Sequence, residues 1–282
     1  MTSPTRSSAP AGAKLPLTYL FVPGNRPERF DKALQSEAGA VVVDFEDAVA
    51  PGDKAAARAA FASWYGSAAH ARTRIVVRIN DESTPWFAAD RELVRDSGVR
   101  GVMLPKAETP AQIERIATSL ADDGYVIPIV ESARAVVELD AIAHAARVQR
   151  LAFGTLDYAV DLDIAHEERA LLYPACRIAL SSRVAGIASP IAGVTTEIGD
   201  EQTLRADVAF ARACGFGAKL CIHPKQVAVV HAAFRPSEAE VAWARRVIAA
   251  SKASEGAVQV DGKMVDRPVI TKAMRILAQM EP

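Results

Sequence analysis

Eight short apolar runs, each followed by an amphipathic segment, repeat from Thr18 to Ala232, and this repetition constrains the fold more than any other feature. The runs are "TYLFVPG" from Thr18, "AVVVDFED" from Ala40, "RIVVRIN" from Arg74, "GVMLPKA" from Gly101, "YVIPIVE" from Tyr125, "RLAFGTLD" from Arg150, "AGIASPI" from Ala185 and "AKLCIHP" from Ala218. Short β-rich runs alternating with helical segments are the pattern of a parallel sheet covered by helices. The helical patterns span Pro27 to Glu37, Lys54 to Tyr65, Pro85 to Ser97, Pro110 to Leu120, Ala133 to Ala145, His166 to Ser182, Glu201 to Cys214 and Lys225 to Ala232. Eight β/α units predict an α/β fold, a TIM (β/α)8 barrel over residues 15–235. With 282 residues, half of them hydrophobic, the chain can bury such a core in one large domain.

Residues 236–282 exceed what a barrel needs. A further helix is expected from about Ser237 to Lys252, then "EGAVQVDGKMVDRP", then a last helix from Val269. Asp-Gly between short apolar runs favours a hairpin, so the segment reads as a C-terminal helical and flap extension packing on a neighbouring subunit. A lid on the same subunit is the alternative. The first 14 residues, small, polar and Pro-rich, read as a disordered tail.

Thirty-three basic against 34 acidic residues leave a formal charge of -1, too little field to attract nucleic acid or an anionic membrane. Any anionic ligand must therefore be held locally. No run approaches the roughly 18 apolar residues of a membrane span. Three cysteines, odd in number and without C-x-x-C spacing, fit a reducing compartment, so a cytoplasmic location is expected.

In a barrel of this kind, polar side chains at the C-terminal strand ends read as chemistry. Here they stand on six of the eight runs: Asp44, Glu46 and Asp47; Arg78 and Asn80; Lys106 and Glu108; Glu131; Asp157; and His223. Glu131 follows "YVIPIV" and Asp157 closes "LAFGTLD", on adjacent runs, so the two carboxylates should converge. Paired anions repel unless they share a proton or a cation, and hard oxygen ligands with open positions suit Mg²⁺. The alternative for Asp157 is a helix cap. Arg78 offers a rigid fork to an oxyanion, with Glu46 and Asp47 expected to accept hydrogen bonds from it and from water about the ion. Asp44 is expected to point away or to pair locally. Near the first loop, Arg26, Arg29 and Lys32 form a basic group able to meet phosphate or merely solvent.

Together, "LFVPGNRPERFDKA", "VVVDFEDAV", "VVRIN", "LPKAE", "IVES", "FGTLDYA" and "CIHPKQ" resemble the citrate lyase beta-chain family, the branch of the HpcH/HpaI aldolase superfamily that includes malyl-CoA and citramalyl-CoA lyases. The resemblance spans nearly the whole chain from Leu20, in order. It implies a TIM barrel, Mg²⁺ held at Glu131 and Asp157, and Arg78 in contact with the oxo acid. It places Arg26 and Lys32 near the family's CoA-binding basic positions. It also makes Asp266 in "DGKMVD" the acid/base that reaches an adjacent subunit, in a homo-oligomer such as a trimer or hexamer. The superfamily's pyruvate aldolases carry D-x-E-H after strand two; Asp47 stands here in place of that histidine.

The implied reaction is Mg-dependent carbon–carbon cleavage of a citryl-, malyl- or citramalyl-type CoA thioester to a 2-oxo acid (oxaloacetate, glyoxylate or pyruvate) and an acetyl-type thioester. Arg78, Asp266, Glu46 and Asp47 would serve catalysis. An aldolase on free 2-oxo acids, a thioesterase and a non-catalytic binding subunit are the alternatives.

Overall fold

A computed structural model describes residues 15–253 and 258–280; the tail expected over 1–14 and the opening of the flap at 254–257 lie outside them. Eight parallel strands close into a barrel: β1 (Thr18–Pro23), β2 (Ala40–Asp44), β3 (Ile75–Arg78), β4 (Gly101–Leu104), β5 (Tyr125–Val130), β6 (Ala152–Phe153), β7 (Ile191–Ala192) and β8 (Ala218–Cys221). Each strand pairs with the next, and β8 returns to β1 through Thr18 opposite Lys219. Helices follow the strands, as parallel pairing requires. The TIM barrel expected from the repetition is therefore present.

Alternation along the strands decides which side chains fill the barrel. Tyr19, Val42, Val76, Met103, Ile127, Ala152, Ile191 and Ala218 converge in one interior cluster. At the N-terminal end Arg150, 2% exposed, donates to Pro16 O at 3.0 Å and to Ser189 O at 2.8 Å, a stabilising plug far from any chemistry.

Two of the expected strands shrink and shift. In the sixth run the strand ends at Phe153, and Thr155–Asp161 is a helix, so Asp157 lies in its first turn and does not close a strand. In the seventh, Ala185 is the last residue of helix Glu168–Ala185, Gly186 caps that helix at φ 69°, and the strand is only Ile191–Ala192. An Ala-rich helix end followed by a left-handed glycine had the composition of an apolar strand. The helical pattern Ala133 to Ala145 breaks into Ala133–Val137 and Leu139–His144.

The chain divides into two compact units at Val230 and His231. In the second, helices Glu238–Ala253 and Arg267–Ala278 share a core of Val241, Ala244, Val247, Ala273 and Ile276. The hairpin predicted from Asp-Gly is present: β9 (Val258–Val260) pairs antiparallel with β10 (Lys263–Val265). Asp261 and Gly262, at φ 53° and 72°, supply the two left-handed residues that such a two-residue turn needs.

Candidate active site

The interior parity of the barrel carries past its apolar layers and sets the site. Val42 and Val76 face inward, so two residues on, Asp44 and Arg78 do too, and they stand opposite each other in the β2–β3 register. Arg78 Nε and Nη2 donate to the two carboxylate oxygens of Asp44 at 2.7 and 2.6 Å. Its Nη1 lies 2.9 Å from Glu46 Oε2 and 3.5 Å from Asp47 Oδ2, and its guanidinium stacks 4.9 Å from the Phe21 ring. Such a fork fixes the guanidinium plane while leaving an Nη2 N–H for a ligand.

Asp44, expected to point away or to pair locally, is the principal partner of Arg78, and Glu46 the second. Asp47 is peripheral, its side chain 71% exposed. The reason is local: Asp44 also accepts from Glu46 N at 2.9 Å and Ala48 N at 3.2 Å, folding the chain back so that Glu46 re-enters the mouth.

Glu131 directly follows β5, on the inward parity of Ile127 and Ile129, and is 5% exposed. One oxygen accepts Lys106 N at 2.6 Å; Lys106 holds φ 46°, so a left-handed turn after β4 aims this amide. The other oxygen lies over Gly154. A Cβ built at Gly154 would stand 2.7 Å from Glu131 Cβ and collide with the carboxylate itself. Gly154→Ala is therefore expected to displace Glu131, lowering Mg²⁺ affinity about tenfold or more and costing about 1–3 kcal/mol of stability; calorimetric titration and thermal melting of the variant check both.

Asp157 stands one turn into the helix that starts after Gly154, exposed, and its charge acts on Glu131. Its side chain makes no cap of that helix. Among the described residues no group of three His, Cys, Asp or Glu side chains is arranged to hold a metal ion. Two carboxylates, one buried with a free oxygen and one exposed, nonetheless fit a hard cation that keeps most of its waters.

Charge is concentrated at this mouth, and burial sets its protonation. Burial pushes Glu46 up to about 8 despite Arg78, with Asp47, Glu131 and Asp44 adding to the rise. Burial likewise pushes Glu131 up to about 7, against the Lys106 amide, and Asp157 raises it further. For Arg78 burial acts downward, but Asp44, Glu46 and Asp47 outweigh it and the guanidinium stays charged. A carboxyl with a raised folded pKa contributes stability that is complete below its ordinary value and lost as pH rises through the folded one. The metal-free protein should thus lose thermal stability as pH climbs from 4.5 through about 7 and 8. Mg²⁺ should restore it most at the alkaline end. Melting curves in chelator and in Mg²⁺ across that range test this; a Mg²⁺ effect independent of pH contradicts it.

Lys54, which no strand end carries, holds this cluster in place, and the remaining strand-end polar residues have partners of their own. Lys54, 4% exposed, donates to Phe45 O at 2.8 Å and Glu46 O at 3.0 Å and lies 4.7 Å from the Trp86 ring. Burial lowers its pKa, against the pull of Asp44, Asp90 and Glu46. Asn80 lies outside the ligand-facing set: its amide donates to Asp90 at 2.6 Å, and Asp90 is paired with Arg58 at 2.9 Å. Ser132 donates to Glu108 at 2.6 Å and caps helix Ala133–Val137. Lys106 Nζ, half exposed, is 3.9 Å from Glu46.

The other predicted residues make local contacts. Arg26 is exposed and 3.8 Å from Glu28, and Lys32 is exposed on helix Phe30–Gln35. His223 Nδ1 accepts Lys225 N at 3.2 Å, a local turn contact. Asp266, in the second unit, caps helix Arg267–Ala278 by accepting Val269 N at 3.1 Å.

A model of the family described as HpcH/HpaI aldolase/citrate lyase matches residues 17–224. The chain is 37% identical over 281 residues to the citrate lyase subunit beta-like protein of Deinococcus radiodurans, covering 93% of this chain and 96% of that one. It is 31% identical to the L-malyl-CoA/beta-methylmalyl-CoA lyase of Rhodobacter capsulatus, across 98% of each. The crystal structure of CitE from Mycobacterium tuberculosis with magnesium, acetoacetate and coenzyme A superposes with a TM-score of 0.84 at 36% identity, over 93% of this chain and 97% of that one.

Proposed function

Because the chain belongs to the HpcH/HpaI aldolase/citrate lyase family, we propose that it is a magnesium-dependent carbon–carbon lyase acting on a 3-hydroxyacyl-CoA thioester. The products are a 2-oxo acid and an acetyl-type thioester. The observation that carries this reading is the buried Arg78 guanidinium, clamped by Asp44 and Glu46 at the same barrel mouth as Glu131.

Glu131 and Asp157 would hold the ion, which when bound supplies Lewis acidity toward the oxo-acid end of the substrate. Cleavage breaks the bond between the carbinol carbon and the carbon next to the thioester. The carbinol would give its proton to water at the mouth and become the keto group, and the bonding pair would pass to the thioester as an enolate. Arg78, its plane fixed by Asp44, points a donor at the oxygen where charge gathers; one preorganised donor of this kind is worth about 3 kcal/mol. Glu46 shares that fork, and Asp47 adds negative charge at its rim. Lys54 holds the segment after β2 that carries Glu46 and Asp47. Asp266 of an adjacent subunit would return a proton to the enolate carbon, which makes the active form a homo-oligomer. Arg26 and Lys32 would meet the CoA phosphates.

A substrate panel tests this. Citryl-, malyl-, methylmalyl- and citramalyl-CoA are each incubated with enzyme and Mg²⁺, and oxaloacetate, glyoxylate, pyruvate and free CoA are measured. Release of a 2-oxo acid with the acyl-CoA product intact supports the lyase. Free CoA without a 2-oxo acid identifies thioester hydrolysis, and turnover of free 4-hydroxy-2-oxo acids alone identifies an aldolase. A pocket separates substrates differing by one methylene by about 1–3 kcal/mol, so one thioester should lead clearly.

A further inference from the structure

Lys219 lies on the wrong face of its strand for the active site. Ala218 and Leu220, its neighbours on β8, belong to the barrel interior, so alternation turns Lys219 outward into the layer beneath helix Glu201–Ala213. There it is 2% exposed. Its ammonium donates to Gly193 O at 2.7 Å and stands 3.8 Å from Asp207 Oδ2, beyond hydrogen-bond reach. That same Asp207 oxygen accepts the Thr195 hydroxyl. Burial lowers the Lys219 pKa, against the pull of Asp207. An ammonium has three donors, and leaving buried donors unmatched is costly.

Beside Lys219 opens a cavity of about 120 Å³. Its walls include Phe153, Leu171, Phe210 and Phe216, and its polar side chains are Thr155, His166, Glu168, Asp207 and Lys219. An apolar cavity of about 150 Å³ accepts benzene, which sets the occupant at roughly six to eight heavy atoms. We propose that this cavity binds a small apolar monocarboxylate, short-chain aliphatic or aromatic, whose carboxylate takes the remaining donors of Lys219 while its hydrocarbon part lies against the phenylalanines. Asp207 beside the ammonium and Glu168 elsewhere in the wall oppose a second negative charge, which selects against dicarboxylates and phosphate. The site is separate from Arg78, which faces the barrel interior. It is nevertheless adjacent to the mouth, because Thr155, the first residue of the Asp157 helix, also lines it.

Ligand-observed NMR titrations of the full chain with butyrate and with benzoate, without divalent ions, test the proposal on wild type, Lys219→Met and Ala175→Leu. Ala175 lines the cavity, and leucine there fills it without removing a charge. The expected result is millimolar binding by wild type that weakens about tenfold or more in both variants, with succinate binding far less well than butyrate. Absence of binding by wild type at tens of millimolar overturns the proposal. So does binding that survives both substitutions, which places the carboxylate elsewhere. Should Lys219→Met fail to fold, Ala175→Leu decides alone.

Discussion

Arg78→Met is expected to lower kcat/KM for thioester cleavage by about 10²–10³ or more and to destabilise the fold by about 3–5 kcal/mol. Both effects come from one geometry. The guanidinium is the partner of two buried acidic side chains, Asp44 and Glu46, 2% and 10% exposed, so its removal strands the Asp44 carboxylate without its fork and leaves Glu46 without its donor. Arg78→Lys keeps a charge but loses the fork, since one ammonium cannot reproduce the paired bonds of 2.7 and 2.6 Å to Asp44. It should recover part of the stability and little of the activity. Arg78→Met combined with Asp44→Asn separates the roles: it should regain folding free energy in denaturant titrations yet stay inactive. If the double variant recovers activity along with stability, Arg78 is only structural.

Glu131→Gln should act with opposite signs in the two states of the protein. Without metal the carboxylate is buried and pushed up to about 7, so neutral glutamine should melt at the same or a higher temperature above that pH. The Lys106 amide at 2.6 Å keeps an oxygen to donate to. With Mg²⁺ the variant should gain almost no thermal stability, and its Mg²⁺ affinity should fall by more than about 100-fold, since outer partners of a metal site alone cost 10–100-fold. Lyase activity should fall with it. A wild-type melting shift retained by Glu131→Gln would remove Glu131 from the metal site.

The order of eight units, and hence the barrel, was legible because each run had the composition of a strand buried on both faces. That same composition hid the parity. In "AVVVD" every position is apolar until Asp44, so nothing in the run alone says that Asp44 and Glu46 face in while Phe45 packs outward on Phe61. The signal that was available is register: Asp44 and Arg78 each end their apolar run and are paired in the sheet. Lys54 looked like an ordinary first residue of a helix, because burial of its ammonium depends on the path of a loop eight residues earlier. Gly154 was unreadable for a similar reason, since its need for a bare Cα arises from Glu131 on another strand. Asp157 was expected to close a strand and instead lies in the first turn of a helix, because two-residue strands such as β6 carry too little pattern to mark where they end.

The proposed reaction needs a divalent ion at Glu131 and Asp157, facing the guanidinium of Arg78. A crystal structure grown with Mg²⁺ and oxaloacetate tests it most directly. The predicted result is one ion bound by both carboxylates, with Arg78 donating to the keto oxygen and still forked on Asp44. An ion bound elsewhere, or oxaloacetate out of reach of Arg78, would contradict it.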